Sequence, residues 1–140
     1  MYKTILLTLD GTPTDRAIIE HVKQLAKLTQ GHVILLHVAD GWAARTFGSD
    51  AISPEVTEDS DYLKKVCDEF QTAGIATEVE LAFGDPPKEI LKWVAQKGCD
   101  LIAMASHGHR LLGDIFHGST ITQVRHKTSI PILIVRGKKE

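Results

Sequence analysis

Four short stretches of this chain are almost unbroken apolar residues: ILLTL (Ile5–Leu9), VILLHV (Val33–Val38), LIAMA (Leu101–Ala105) and ILIV (Ile132–Val135). A strand with one wet face alternates polar and apolar residues, because successive side chains point to opposite sides. A strand buried on both faces does not alternate, and parallel sheets covered by helices are built from such strands. Five β-type runs are predicted, at Thr4–Leu9, His32–Val38, Thr77–Ala82, Leu101–Ala105 and Pro131–Arg136. The third, TEVELA, does alternate, which suits a sheet edge with one wetter face.

Helical patterns fill the gaps. The first places Ile18, Val22, Leu25 and Ala26 on one face and closes at Gly31. Its opening, Thr12-Pro13-Thr14-Asp15, offers a capping hydroxyl, proline at the first helical position and a carboxylate three residues on. The second runs from about Glu55 to Ala73, with Leu63, Val66 and Phe70 inward and Gly74 as the stop. The third starts at Asp85-Pro86, uses Ile90, Leu91 and Val94, and stops at Gly98. The fourth begins near Ser119 and ends before Ile130-Pro131. Alternating strands and helices with right-handed crossovers give an α/β fold: a single open five-stranded parallel sheet with helices on both faces, Rossmann-like. Ligands of such sheets bind beyond the carboxyl ends of the strands, where the strand order reverses.

With 140 residues the chain fits one domain, spanning 1–140, and a net charge of −2 gives no general attraction to nucleic acid or anionic membrane. Cys67 and Cys99 are the only cysteines and form no CxxC pair, so they read as buried thiols of a reducing compartment. The opening MYKTILLTLDG is too short for a membrane span and lacks a signal peptide's cleavage pattern. The expectation is a cytoplasmic protein without nucleic-acid or membrane partners.

The segment SHGHRLLGDIFHGST, Ser106–Thr120, is a long polar, glycine-punctuated connection between the fourth strand and the last helix. If the helix starts near Ser119, the amides of Gly118-Ser119-Thr120 lack partners within it. Gly118 admits an anion to the backbone, Ser119 adds a hydroxyl, and the helix dipole contributes roughly 0.3–1 kcal/mol. Gly108, ten residues before Gly118, offers a second close approach, and such a pair suits linked phosphates better than a single anion. The alternative is that Ser119 only caps the helix and the glycines serve ordinary turns.

The segment MASHGHRLLGDIFHGSTITQVRHKTSIPILIV resembles the C-terminal signature of the universal stress protein family. Nucleotide-binding members carry Gly-x2-Gly-x9-Gly-Ser/Thr there; Gly108 and Gly118-Ser119 match its second and third parts, and Ala105 replaces the first glycine. ILLTLDGT, with Asp10 at the end of the first strand, and ILLHVAD, Ile34–Asp40, are similar to the family as well, so the resemblance covers essentially the whole chain.

The resemblance implies an adenine nucleotide alpha hydrolase-like sheet of order 3-2-1-4-5 and ATP as the ligand. Adenine would contact the backbone at Val38, and Asp10 would meet the ribose, a carboxylate being able to accept from two vicinal hydroxyls. Without the resemblance, Asp10 reads as a turn-forming residue. Thr8 stands where many relatives have proline, and Met104 and Ala105 match residues that wall the nucleotide. Phosphate contacts fall to Gly108, His109, Gly118, Ser119 and Thr120, with Arg110 as a mobile charge or a solvated loop residue. Members commonly dimerise through the last strand, which implies a homodimer formed along Ile132, Leu133, Ile134 and Val135, an apolar strand with no helix after it.

His107, His109 and His117 invite a metal reading, but no cysteine or carboxylate pair joins them at ligand spacing. Magnesium carried on the phosphates is more natural. Trp42, Arg45 and Phe47 form a flap over the adenine, pack on a neighbour or join the core, and Arg125-His126-Lys127 meets the dipole at the end of the last helix. The expected function is a nucleotide-responsive homodimer acting in stress, not an enzyme, because GxxxxGK[ST] is absent and Asp114 is the one carboxylate of the glycine-rich loop. The alternatives are a relative that acts through protein partners without ATP, or a slow ATPase. An adenylating enzyme would carry an SGGxDS-like loop where this chain has DGTPTD. Pro13 removes an amide that a flavin phosphate loop needs, and a receiver domain would need an acidic pair after the first strand.

Overall fold

The computed structural model describes residues 1–39, 54–107 and 115–137. Its elements are β1 (Thr4–Thr8), α1 (Asp15–Thr29), β2 (His32–Ala39), α2 (Pro54–Thr72), β3 (Thr77–Phe83), α3 (Pro86–Lys97), β4 (Leu101–His107), α4 (Ile115–Lys127) and β5 (Ile132–Gly137). The strands form one parallel sheet of order β3-β2-β1-β4-β5. No helix among the described residues is long and apolar enough to cross a membrane.

The unbroken apolar runs lie at the centre of the sheet, and their residues divide by parity between two cores. Ile5, Leu7, Val33, Leu35, Leu101 and Ala103 pack with Ile18, Ile19 and Val22 of α1 and with Leu63, Val66 and Phe70 of α2. Leu6, Ile34, Leu36, Ile102 and Met104 pack on the other side with Ile90 and Val94 of α3 and Val124 of α4. Burial of a side chain such as Leu35 or Phe70 contributes about 1.5–3 kcal/mol. β3, the alternating strand, is an edge as expected, and Glu78 and Glu80 on it face Lys97 at 2.6 and 3.5 Å.

Helix ends follow local chemistry in part. Asp85 caps α3 by accepting from the Lys88 amide at 3.2 Å, with proline in the first turn and Gly98 left-handed at the end. The expected cap of α1 is overturned: the helix begins at Asp15, Thr14 makes no side-chain cap, and Thr12–Thr14 form a tight turn whose carbonyls at Thr12 and Pro13 accept from Asp15 and Arg16. The left-handed residue that closes α1 is Gln30, not Gly31.

The glycine-rich connection is shorter than its sequence suggests. β4 runs on through Ser106 and His107, because β5 supplies pairing partners at Arg136 and Gly137. α4 starts at Ile115, about a turn earlier than the expected start near Ser119. Gly118 lowers helix propensity by only about 1 kcal/mol and therefore does not force the boundary.

Candidate functional site

β1 connects to β2 on one side through α1, while β4 lies on its other side, so the strand order reverses between β1 and β4. Pairing of these strands runs from Ile5–Leu101 to Leu7–Ala103, after which the Thr8 hydroxyl donates to the Ala103 carbonyl at 3.4 Å. Beyond that point a cleft of about 240 Å³ opens. Leu36, Val38, Ile90 and Met104 make its apolar wall, and Thr8, Asp10, Thr12 and Thr120 bring hydroxyls and a carboxylate to it. An apolar pocket with a few convergent polar groups at a switch point is the usual form of a small-ligand site.

The loop that presents Asp10 is held from behind. Asp15 is fully buried, and its carboxylate accepts from the Asp10 amide with both oxygens at 3.0 Å and from the Gly11 amide at 2.8 Å. Tyr62 of α2 donates its hydroxyl to the same carboxylate at 2.6 Å. Gly11 has φ of 84°, a left-handed turn that costs other residues about 1–2 kcal/mol. Burial raises the Asp15 carboxyl above the ordinary aspartate value and outweighs its hydrogen bonds; the nearby Asp10 charge pushes the same way. Burial, followed by the bond to Asp15, likewise raises the Tyr62 hydroxyl.

His37, at the carboxyl end of β2, has Nδ1 at 2.7 Å from the Leu9 carbonyl and Nε2 at 3.2 Å from Asp59 Oδ2. The Asp59 contact meets ion-pair distance, although Oδ2 has no well-aligned hydrogen bond.

Of the residues singled out from sequence, Thr8, Asp10, Val38, Met104, Ala105 and Thr120 line the cleft. Ser119 is exposed, and its hydroxyl accepts from Gln123 at 2.9 Å. Gly118, Ser119 and Thr120 all lie inside α4, so the pattern of i to i−4 bonding supplies Ser119 and Thr120 with intrahelical acceptors. The partnerless amides belong to the turn that starts at Ile115, a correction to the sequence expectation. Gly108, His109 and Arg110 lie outside the described residues, as do Trp42, Arg45, Phe47 and Asp114 and the side chains of His107 and His117.

Sequence reasoning missed the inward role of Asp15 and the parts of His37 and Tyr62. A signal was present for the first: Asp15, Ile18, Ile19 and Val22 share the buried face of α1 at helical spacing.

Residues 1–136 match the model of the universal stress protein family. Universal stress protein MJ0577 of Methanocaldococcus jannaschii is 28% identical over 157 residues, covering 99% of this chain and 97% of that protein. A solved structure of MJ0577 superposes with a TM-score of 0.82 at 31% identity, covering 100% and 99% of the two chains. Two more distant structures share the fold. One is the Archaeoglobus fulgidus universal stress protein in complex with dAMP (TM-score 0.72, 17% identity, 96% and 98% covered). The other is a universal stress protein in complex with cAMP (TM-score 0.72, 19% identity, 96% and 97% covered). The match over nearly the entire length, on a sheet of the same architecture, establishes that this chain belongs to the universal stress protein family.

Proposed function

We propose that the chain binds an adenine nucleotide, ATP, in the cleft between β1 and β4, and works as a nucleotide-responsive homodimer of the stress response. The observation that carries this reading is the convergence of Asp10, Val38, Met104 and Thr120 on one cleft at the switch point. The apolar wall suits a purine, the backbone of Val38 its polar edge, and the Asp10 carboxylate the two ribose hydroxyls. Phosphates then run toward Thr120 and the amino-terminal turn of α4, where the helix dipole favours anions. Magnesium would travel with the phosphates and keep most of its waters. The dAMP and cAMP complexes of the distant relatives support an adenylate over other ligands.

Binding without rapid turnover belongs to the same reading. In this reading Asp10 serves the sugar and not a water at the terminal phosphate, and a steady-state phosphate-release assay tests this. The two copies would join along β5, where Ile134 is exposed at the sheet edge.

The direct test is calorimetric titration of wild type and Asp10→Ala with ATP, ADP and AMP. Wild type is expected to bind ATP in the micromolar class, roughly −8 kcal/mol, and the variant about tenfold more weakly. Absence of binding by wild type overturns the reading and favours action through protein partners; equal binding by both proteins removes Asp10 from the site.

A further inference from the structure

We propose that Asp15 is a positioning residue of the nucleotide site: anchored by Tyr62 on α2, it holds the Asp10 and Gly11 amides so that the Asp10 carboxylate is presented to the ribose. The inference rests on the nucleotide reading above and adds the parts that shape the site.

A helix start needs no interior carboxylate. Serine, threonine or aspartate at the boundary satisfies the first amides while remaining in contact with water. Here Thr14 makes no such bond, and Asp15 is turned away from its own helix toward the loop in front of it. A carboxylate without solvent exposure is costly unless it is hydrogen-bonded, and this one accepts from Asp10 N, Gly11 N and Tyr62 Oη. The same burial would be achieved more cheaply by an apolar residue if the only need were to pack α1. What the carboxylate adds is direction, because it draws two consecutive amides toward one point, with the left-handed Gly11 making the required turn.

A second tether acts on the preceding residue. His37 Nδ1 holds the Leu9 carbonyl, and Asp59 faces His37 Nε2. Asp59 and Tyr62 stand three residues apart on α2, on the same helical face. The Leu9 carbonyl and the Asp10 and Gly11 amides are thus gripped in succession by side chains backed by one helix. Sites work when their reacting or binding groups are held within about 0.5 Å by such support. Among the described residues α2 contributes none to the cleft lining, so the influence of Tyr62 and Asp59 on the ligand passes through this loop.

A positioning role and a purely structural one separate in ribose selectivity. Wild type, Asp15→Asn, Tyr62→Phe and Asp10→Ala are titrated with ATP and with 2′,3′-dideoxy-ATP. Asp15→Asn is expected to weaken ATP by about tenfold while leaving the dideoxy nucleotide within about twofold. Tyr62→Phe should show the same selectivity with a smaller loss, and it reads the relay even if Asp15→Asn does not fold. In an Asp10→Ala background, Asp15→Asn should cost ATP nothing further. Equal losses for both nucleotides, or a loss that persists without Asp10, overturn the positioning role while leaving the nucleotide reading intact. Failure of wild type to bind ATP overturns that reading instead. In that event amide spectra of the ligand-free protein still judge the grip: the Gly11 amide proton should move upfield in Tyr62→Phe and Asp15→Asn, and an unmoved resonance overturns the proposal.

Discussion

A Cβ added to Gly31 would lie 2.6 Å from the Tyr2 carbonyl oxygen, so the turn that follows α1 rests directly on the backbone of the chain's first residues. The adjacent Gln30, with φ of 55°, carries the left-handed conformation that glycine usually supplies at a helix end. Gly31→Ala is therefore expected to destabilise the fold by about 1–3 kcal/mol through the clash. Gln30→Gly should be neutral or stabilising by up to about 1 kcal/mol, since relief of the left-handed strain offsets added chain entropy. Urea unfolding of the two variants checks the contrast; similar behaviour would place the strain elsewhere.

The two sheet edges differ in chemistry. β3 presents Glu78 and Glu80 tied to Lys97, whereas β5 leaves Ile134 46% exposed on the face it shares with Ile132 and Arg136. An apolar edge invites another strand and a charged one resists it. Ile134→Lys is expected to convert a dimer to monomers in light scattering. A dimer that persists would move the interface away from β5.

Two aspartates should mark stability against pH in opposite senses. Asp15 is raised above the ordinary value of 3.8, mainly by burial, so between that value and its folded one the native protein holds more protons than the unfolded chain. Stability falls as pH rises through that window. At Asp100, burial pushes upward, but the amides of Thr4 and Lys3, each at 3.0 Å, lead a larger downward pull and hold it below 3.8. Its contribution is full above the ordinary value and is lost as pH falls through the folded one. Urea midpoints followed across acidic pH should lose the first slope in Asp15→Asn and the second in Asp100→Asn.

Both thiols should be slow toward a disulfide reagent at neutral pH. Burial, reinforced by Asp100 and Glu78, pushes Cys99 up to about 11, and burial with Asp68 raises Cys67 as well. Cys99 is buried as the sequence suggested, but Cys67 is only half-buried, its Sγ donating to the Thr77 carbonyl at 3.7 Å. Cys67 is therefore expected to react first, and rapid reaction of Cys99 in the native protein would contradict its burial.

What could be read from the residues in order was what depends on burial and on neighbours. Continuous runs such as VILLHV mark strands covered on both faces, TEVELA marks an edge, and Asp85-Pro86 marks a helix start, because each signal is local. The strand order came from likeness to a family and matches the sheet observed; the same likeness singled out Asp10, Val38 and Met104, which line one cleft. What the residues alone left open were the polar partnerships and the limits that depend on them. Tyr62 reaches Asp15 across 47 positions, and His37 meets Leu9 across 28. β4 extends through Ser106 and His107 only because β5 lies beside it. Apolar burial is non-directional and leaves a periodic trace in the chain, so the sequence by itself determined the layers of this protein. A hydrogen bond needs two groups at a set distance and angle, and for groups far apart in the chain only the tertiary structure decided which would meet.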